Sequence, residues 1–523
     1  MKKIHKLKNV TKEIKKVKPI VWLVLILIFA LLLRLYFFVG IGFNDDSYYL
    51  EFAETIYKNQ KFVPPLYEEW GVRIAVFYPV ILSWKLLGIS EMSTSIYFLL
   101  LSLGSVIVTY LLGKELFNEK IGLLSAFLLS IFPLDIIYST QVGPDIPFQL
   151  LSAVSVLCFI KGENDKKTLY SFLSGLFIGL SYIAKSEVLL LVPILAFYLL
   201  LKLIQSKKGL RYFKTKDILR YVFLLVGFLL IFSIQLVHFY TLSGEWFYGE
   251  KVRDYSFTHD MNSNSDLTWY IRAMFNLGQF FEWVHSKPYF GFTYYFVVLS
   301  SIYLLYKKDK NSVFLIFWFL FIFFFFEYGL QFYCTKIVEY CNYVRHPRFL
   351  SAFSIPSMIL LATFFMFNYK AKTVKKLLLF LLVFLVATSI FYTYQSYIFL
   401  RNGMGYLREA AYFLKGLQLK NIYIPDRWTI SKFKFFFGYN DTIVNRLRVY
   451  ECNEINCMDE LYNSGKYIHD SYVVTQVSPY SFINNDYPGF MLSPPNNWIL
   501  LKNITLETIG LFSKYNPCVY YAP

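Results

Sequence analysis

Between Pro19 and about Leu400 the chain returns repeatedly to apolar runs of about 20 residues, the length at which an α-helix crosses the hydrocarbon core of a bilayer. No other feature limits the fold so tightly. In lipid a backbone N–H or C=O has no water to turn to, so each such run must satisfy its polar groups within its own helix. Of 523 residues, 56% are hydrophobic and 21% aromatic, more apolar surface than a water-soluble core of this size can hide. The sequence therefore predicts a polytopic α-helical membrane protein.

Hydropathy and loop charge divide this region into about eleven spans, near residues 20–39, 92–112, 120–138, 145–160, 168–184, 186–203, 220–240, 289–306, 312–333, 349–367 and 376–398. The apolar stretch 73–88 carries Arg73, Pro79 and Lys85, and reads as interfacial or re-entrant. A further span there would invert everything after it. With the N-terminus inside, the inner loops 113–120, 202–220, 307–310 and 368–376 all have an excess of Lys and Arg, and only 161–167 is mixed. The outer loops are then 40–91, 139–144, 241–288 and 334–348.

The formal net charge of +17 invites a nucleic-acid reading. Its location in the N-terminal arm 1–18 and the loop 202–220 fits the positive-inside rule instead, and no nucleic-acid partner is expected. The length of the first apolar run, the Arg34 inside it and the lack of a small-residue cleavage site mark a retained anchor rather than a signal peptide.

Three parts follow: a basic cytoplasmic arm, 1–18; a transmembrane domain of about eleven helices, 19–400, which would hold any site; and a small extracytoplasmic α/β domain, 401–523. In the last, Gly405 to Leu417 reads as an amphipathic helix, Asn421-Ile-Tyr-Ile and Tyr472-Val-Val-Thr as strands, and Pro494-Pro495 and Asn496-Asn497 as turns. Five of six cysteines (Cys334, Cys341, Cys452, Cys457 and Cys518) fall outside the membrane on the outer side, where disulfides persist. A Cys334–Cys341 bridge and one among the last three are expected, with connectivity open. Neither spacing suits zinc. Asn440-Asp-Thr and Asn503-Ile-Thr are sequons on that side.

Ionisable residues at membrane depth or its edge are costly, so each is a functional candidate. Asp45 and Asp46 end the first span and are followed by Tyr48 and Tyr49. Asp145, in Gln141-Val-Gly-Pro-Asp-Ile-Pro, sits in the tight outer loop before the fourth span. Lys185 and Glu187 occupy the next tight outer turn, and Arg345, His346 and Arg348 precede the tenth span. Such a set suits glycosyl transfer from a lipid phosphate. The acceptor hydroxyl needs a carboxylate to take its proton. The lipid phosphate already leaves well and asks only for cations. Without that leaving group a second carboxyl would be needed as general acid.

The sequence resembles the multi-spanning, lipid-phosphate-sugar-dependent glycosyltransferases of the GT-C fold, above all the protein O-mannosyltransferases and lipid A aminoarabinose transferases. The resemblance covers about 40–360. It rests on Phe43-Asn-Asp-Asp-Ser-Tyr-Tyr and Pro64-Pro-Leu-Tyr of the first outer loop, and on Tyr110-Leu-Leu-Gly-Lys-Glu-Leu-Phe with Ile121-Gly-Leu-Leu-Ser-Ala-Phe-Leu-Leu-Ser-Ile-Phe-Pro. Gly143-Pro-Asp-Ile-Pro, Gly179-Leu-Ser-Tyr-Ile-Ala-Lys-Ser-Glu and His346-Pro-Arg-Phe-Leu complete it. It implies that Asp45 or Asp46 is the base, that Asp145 orients the acceptor or a sugar hydroxyl, and that Lys185, Arg348 and their neighbours Arg345 and His346 hold the lipid phosphate. Tyr48, Tyr49 and Glu187 would line the site.

The implied activity moves a monosaccharide, with mannose one candidate, from a dolichyl or other polyprenyl phosphate to a protein, glycan or lipid hydroxyl at the outer face, with inversion. Where that family usually has Asp-Glu, this chain has Asp45-Asp46, which leaves the base unassigned. The β-trefoil domain of the eukaryotic enzymes is absent, which leaves the acceptor open. No cofactor is required; the acidic pair could hold a divalent cation, but nothing in the chemistry implies one.

Plainer readings compete. Asp45, Asp46 and Asp145 could be helix caps, Lys185 a snorkelling lysine, and Arg345 and Arg348 headgroup anchors. A flippase or transporter for lipid-linked sugar would share the basic inner loops, but would commonly show repeated halves with charges at midplane. A non-catalytic subunit of a glycosylation complex is a further alternative.

Overall fold

The computed structural model describes residues 18–42, 45–205, 215–259, 290–328, 347–368, 372–424, 427–449, 470–474, 499–503 and 518–522. Among these, eight helical segments are long and apolar enough to cross a membrane: Pro19–Tyr36, Glu91–Leu116, Asp145–Asp165, Ser186–Gln205, Ile218–Ser243, Lys310–Glu327, Arg348–Asn368 and Lys375–Ile398. Each coincides with an expected span.

The helices run in order as α1 (Pro19–Tyr36), α2 (Asp46–Tyr57), α3 (Ile74–Leu87), α4 (Glu91–Leu116), α5 (Glu119–Ser130), α6 (Pro133–Tyr138), α7 (Asp145–Asp165) and α8 (Thr168–Tyr182). After a 3-10 turn at Ser186–Leu190 come α9 (Leu191–Gln205), α10 (Thr215–Ser243), α11 (Tyr248–His259), α12 (Thr293–Tyr306) and α13 (Lys310–Tyr328). A second 3-10 turn, Pro347–Phe353, leads into α14 (Ser354–Asn368), and α15 (Lys372–Lys415) follows.

The three other expected spans are shorter helices. The run 120–138 is broken in two, because Pro133 opens α6 and holds Phe132 extended at φ −71, ψ 121. The runs at 168–184 and 289–306 are helical over 15 and 14 residues. The stretch 73–88 forms α3, which tucks its buried face, including Phe77, Val80 and Trp84, against α2 and α4. Trp84 Nε1 donates to Thr94 Oγ1 at 2.8 Å.

Local chemistry sets the starts. Ser90 and Ser93 form a capping box for α4, and the Asn118 side chain accepts from the backbone N–H groups of Lys120 and Ile121 to open α5. Small residues set the closest approach. A Cβ on Gly175 of α8 would lie 1.8 Å from the carbonyl oxygen of Leu224 in α10, and one on Gly227 would lie 2.2 Å from that of Phe172. Those two helices pack backbone to backbone only because both positions lack side chains.

One expected boundary moves. The amphipathic segment 405–417 is no separate helix: α15 runs unbroken for 44 residues from the membrane span into the C-terminal region, so residue 401 lies inside a helix. Beyond it come β1 (Asn421–Ile424), α16 (Arg427–Phe436), α17 (Asp441–Val444), β2 (Leu447–Val449), β3 (Ser471–Val474), β4 (Ile499–Asn503) and β5 (Cys518–Ala522). The five strands order as β2-β1-β3-β5-β4, with β1 parallel to β2 and β3, and β5 antiparallel to β3 and β4. Both strands expected from sequence are present. The Asn440 side chain caps α17 by accepting from Thr442 N at 3.0 Å. Cys334, Cys341, Cys452 and Cys457, and the turns at 494–497, lie outside the described residues; Cys158 is a free thiol.

Candidate active site

The segment leaving α1 is pinned from several directions. Val39 N donates to Thr140 Oγ1 at 3.1 Å, and Ile41 N to Glu91 Oε1 at 3.3 Å. Glu91 in turn takes both arms of Arg408 of α15, at 2.8 and 2.7 Å, while Arg401 donates to the Val39 carbonyl at 2.8 Å. Gly40 has φ +69, and a Cβ there would lie 2.5 Å from Glu91 Oε1. Deeper in the bundle, Arg34 of α1 is wholly buried and pairs with Asp135 of α6. Its Nε donates to Ser102 Oγ at 2.7 Å, Ser102 donates to Asp135 Oδ2 at 2.8 Å, and Gln149 Nε2 donates to Asp135 Oδ1 at 2.9 Å. This network ties the helix before the acidic pair to the helices on either side of the Asp145 loop.

The two adjacent carboxylates point into different surroundings. Asp45, 25% exposed at its side chain, forms an ion pair with Arg348 Nη2. Arg348 Nε reaches Asp145 Oδ2 at 3.3 Å, and Asp145 Oδ1 accepts from Lys185 Nζ at 3.1 Å. Lys185 also stands 3.7 Å from Glu187 Oε1 and 3.9 Å from the centroid of the Phe349 ring. The result is a chain of alternating sign, Asp45–Arg348–Asp145–Lys185, drawn from four separate segments. It borders a small hollow lined by Tyr138, Gln141, Val142, Gly143 and Ile146 together with Asp145 and Arg348.

Asp46 faces the other way and is fully buried. Its Oδ2 accepts from Gly42 N at 2.5 Å, and Lys432 Nζ stands 3.5 Å from its Oδ1. Burial pushes its carboxyl up to about 6, against the pull of Lys432. Tyr48 stacks on Trp70, centroids 4.2 Å apart and planes 10° apart, and the Tyr49 hydroxyl accepts from Arg73 Nη1 at 2.9 Å. Burial, partly offset by Arg73, pushes that phenol up to about 12.

These contacts bear on the plainer readings. Asp45, at the N-cap of α2, makes no side-chain cap, Pro144 rather than Asp145 holds the N-cap of α7, and both carboxylates go to the cations. Lys185 does not snorkel, since it is 2% exposed and paired to Asp145. Arg348 is buried between two carboxylates, where an anchor would reach for headgroups. Arg345 and His346 lie outside the described residues. Sequence reasoning did not single out Arg73 or Lys432 as site residues. Arg73 stood at the head of an apolar stretch and was legible as a costly charge, whereas nothing local marks Lys432.

The arrangement holds a partly exposed carboxylate, Asp45, against Arg348, and Asp145 joins Arg348 to Lys185 beside a small hollow. That is what proton removal next to an anionic leaving group requires. Among the described residues no cluster of three His, Cys, Asp or Glu is placed to hold a metal ion.

Comparison with known proteins bears on the family and the fold. Residues 74–238 match the family described as dolichyl-phosphate-mannose-protein mannosyltransferase. An uncharacterised protein of Aquifex aeolicus (strain VF5) is 25% identical over 225 residues; the match spans 41% of this chain and 44% of that protein. The fold is similar to ArnT from Cupriavidus metallidurans, at TM-score 0.59 and 11% identity over 96% of this chain and 98% of that one. ArnT bound to undecaprenyl phosphate gives TM-score 0.57 at the same identity and coverage. The Archaeoglobus fulgidus oligosaccharyltransferase in the apo form gives TM-score 0.53 at 14% identity, over 88% of this chain and 70% of that one. The chain therefore has the multi-spanning GT-C fold that ArnT shows, and its residues 74–238 are similar to the dolichyl-phosphate-mannose-protein mannosyltransferases.

Proposed function

We propose that this protein is an integral membrane glycosyltransferase that moves a monosaccharide, mannose being the first to test, from a dolichyl or other polyprenyl phosphate to an acceptor hydroxyl, with Asp45 as general base. The observation that carries it is the Asp45–Arg348–Asp145–Lys185 chain beside the hollow. ArnT was solved with undecaprenyl phosphate, which supports a polyprenyl phosphate as the anionic part of the donor.

In this reading the donor phosphate takes Arg348 and Lys185 as partners. Asp145, which touches both, keeps their nitrogens aimed and is a positioning residue. Once phosphate shares Arg348, the Asp45 carboxylate is released toward the acceptor. The acceptor oxygen then bonds to the anomeric carbon while the bond from that carbon to the phosphate oxygen breaks. The electron pair leaves with the phosphate, and the hydroxyl proton passes to Asp45. A single displacement inverts the anomeric configuration. Asp46, held inward by Gly42 and Lys432, is not available to an acceptor, which favours Asp45 of the pair. By the positive-inside rule the Lys-rich residues before α1 lie in the cytoplasm, and the site and the C-terminal sheet on the outer side of the cell membrane, or the lumenal side of the endoplasmic reticulum membrane in a eukaryote.

Transfer of radiolabelled mannose from dolichyl phosphate, in membranes expressing the wild type, Asp45→Asn or Asp46→Asn at equal levels, tests this directly. Transfer by the wild type should be lost in Asp45→Asn and reduced in Asp46→Asn. Full activity in Asp45→Asn would exclude it as the base.

A further inference from the structure

The residue that holds the acidic pair from behind comes from the far end of the chain. Lys432 lies in α16, and its side chain is 3% exposed. Its ammonium donates to the backbone carbonyl of Gly42, 390 residues earlier, and stands 3.5 Å from Asp46 Oδ1. Asp46 in turn accepts from Gly42 N. A single cation thus grips both ends of the segment that presents Asp45.

The surrounding contacts bring the C-terminal region to the same place. Ser431 Oγ donates to Glu51 at 3.2 Å, the Tyr439 hydroxyl to the Leu50 carbonyl at 3.3 Å, and Lys58 pairs with Asp441 at 2.7 Å. Taking an ammonium out of water is costly, and at an exposed surface α2 and α16 could pack without it. An ion spent on a backbone carbonyl and a carboxylate four residues apart constrains direction as well as adding stability.

We propose that Lys432 is a positioning residue, lent by the C-terminal domain, that sets the aim of Asp45 by fixing Gly42 and Asp46. The domain is then a working part of the catalytic site. This rests on the reading of Asp45 as the base.

The test uses the full-length protein in lipid nanodiscs, comparing the wild type with Lys432→Met and Lys432→Arg. Lys432→Gln replaces the Met variant if that one does not fold. Two readouts are taken: hydrogen–deuterium exchange at Gly42 and in the first turn of α2, and the steady-state constants for sugar transfer from dolichyl phosphate. In Lys432→Met, exchange at Gly42 and Asp46–Tyr49 should quicken by about tenfold, with the bundle core unchanged. The kcat should fall by about 100-fold, as for a misaimed catalytic group. The donor KM should stay within about twofold, because Arg348 and Lys185 are intact. Lys432→Arg should recover part of both.

Exchange at the wild-type rate in Lys432→Met overturns the proposal whatever the activity. Faster exchange with unchanged kcat keeps the grip on the acidic segment but overturns the positioning role, while retained transfer in Asp45→Asn would overturn Asp45 as the base separately.

Discussion

In an Arg348→Lys protein the positive charge stays and the fork goes. Arg348 meets its two carboxylates through different nitrogens, Asp45 through Nη2 and Asp145 through Nε at 3.3 Å. A lysine ammonium is a single point on a flexible stem, so it can face one carboxylate closely or neither well. A hydrogen bond to a charged group contributes about 1.5–3 kcal/mol. Losing one such contact to the donor phosphate should lower kcat/KM by about 10- to 100-fold. Arg348→Met should lose more and also destabilise the fold, because removing one partner of a buried ion pair costs about 3–5 kcal/mol. The assay is the initial rate of sugar transfer against donor concentration, in membranes with matched expression, with thermal unfolding in detergent as the control for folding. Wild-type kcat/KM in Arg348→Lys, at an unchanged unfolding temperature, would mean that charge alone suffices and would refute the argument from the fork.

Arg34→Met should strand the Asp135 carboxylate in a bundle where both groups are wholly buried, lowering stability by about 3–5 kcal/mol; adding Asp135→Asn should restore most of it. Unfolding temperatures of the single and double variants check this, and equal losses would sink it. Asp46 gives a pH signature whose sign differs from that of a salt-bridged carboxylate. Its folded value of about 6 lies above the ordinary 3.8, so the folded state holds the proton more tightly. Its contribution is then most favourable below about pH 4 and declines as pH rises toward about 6. Relative to Asp46→Asn, the wild type should lose unfolding temperature across that window, and parallel curves would contradict the burial argument.

Much of the membrane architecture was legible because hydropathy is local: a helix in lipid needs its apolar residues consecutive, and a linear scan finds them. The break before Pro133 also has a local cause, but 120–138 read as one span; the close pairing of Gly175 with Gly227 joins two helices and had no local mark. The charged residues of the site stood out singly for a related reason, as each interrupts or borders an apolar run. What spacing could not supply was their pairing. Asp45 and Asp46 are neighbours of identical chemistry, and only their surroundings separate them.

What the sequence by itself determined is the class of molecule: a bundle of membrane helices with a small C-terminal sheet, carrying acidic and basic residues at the ends of particular spans. Its information there is short-range, since hydrophobic transfer and helix geometry act over one or two turns. Only the tertiary structure decided which carboxylate of the pair meets Arg348 and which is buried against Lys432, that Arg348 lies between Asp45 and Asp145, and that Lys432 reaches back to Gly42. Those contacts join residues hundreds of positions apart, and they are set by how helices pack, which no local pattern of side chains encodes.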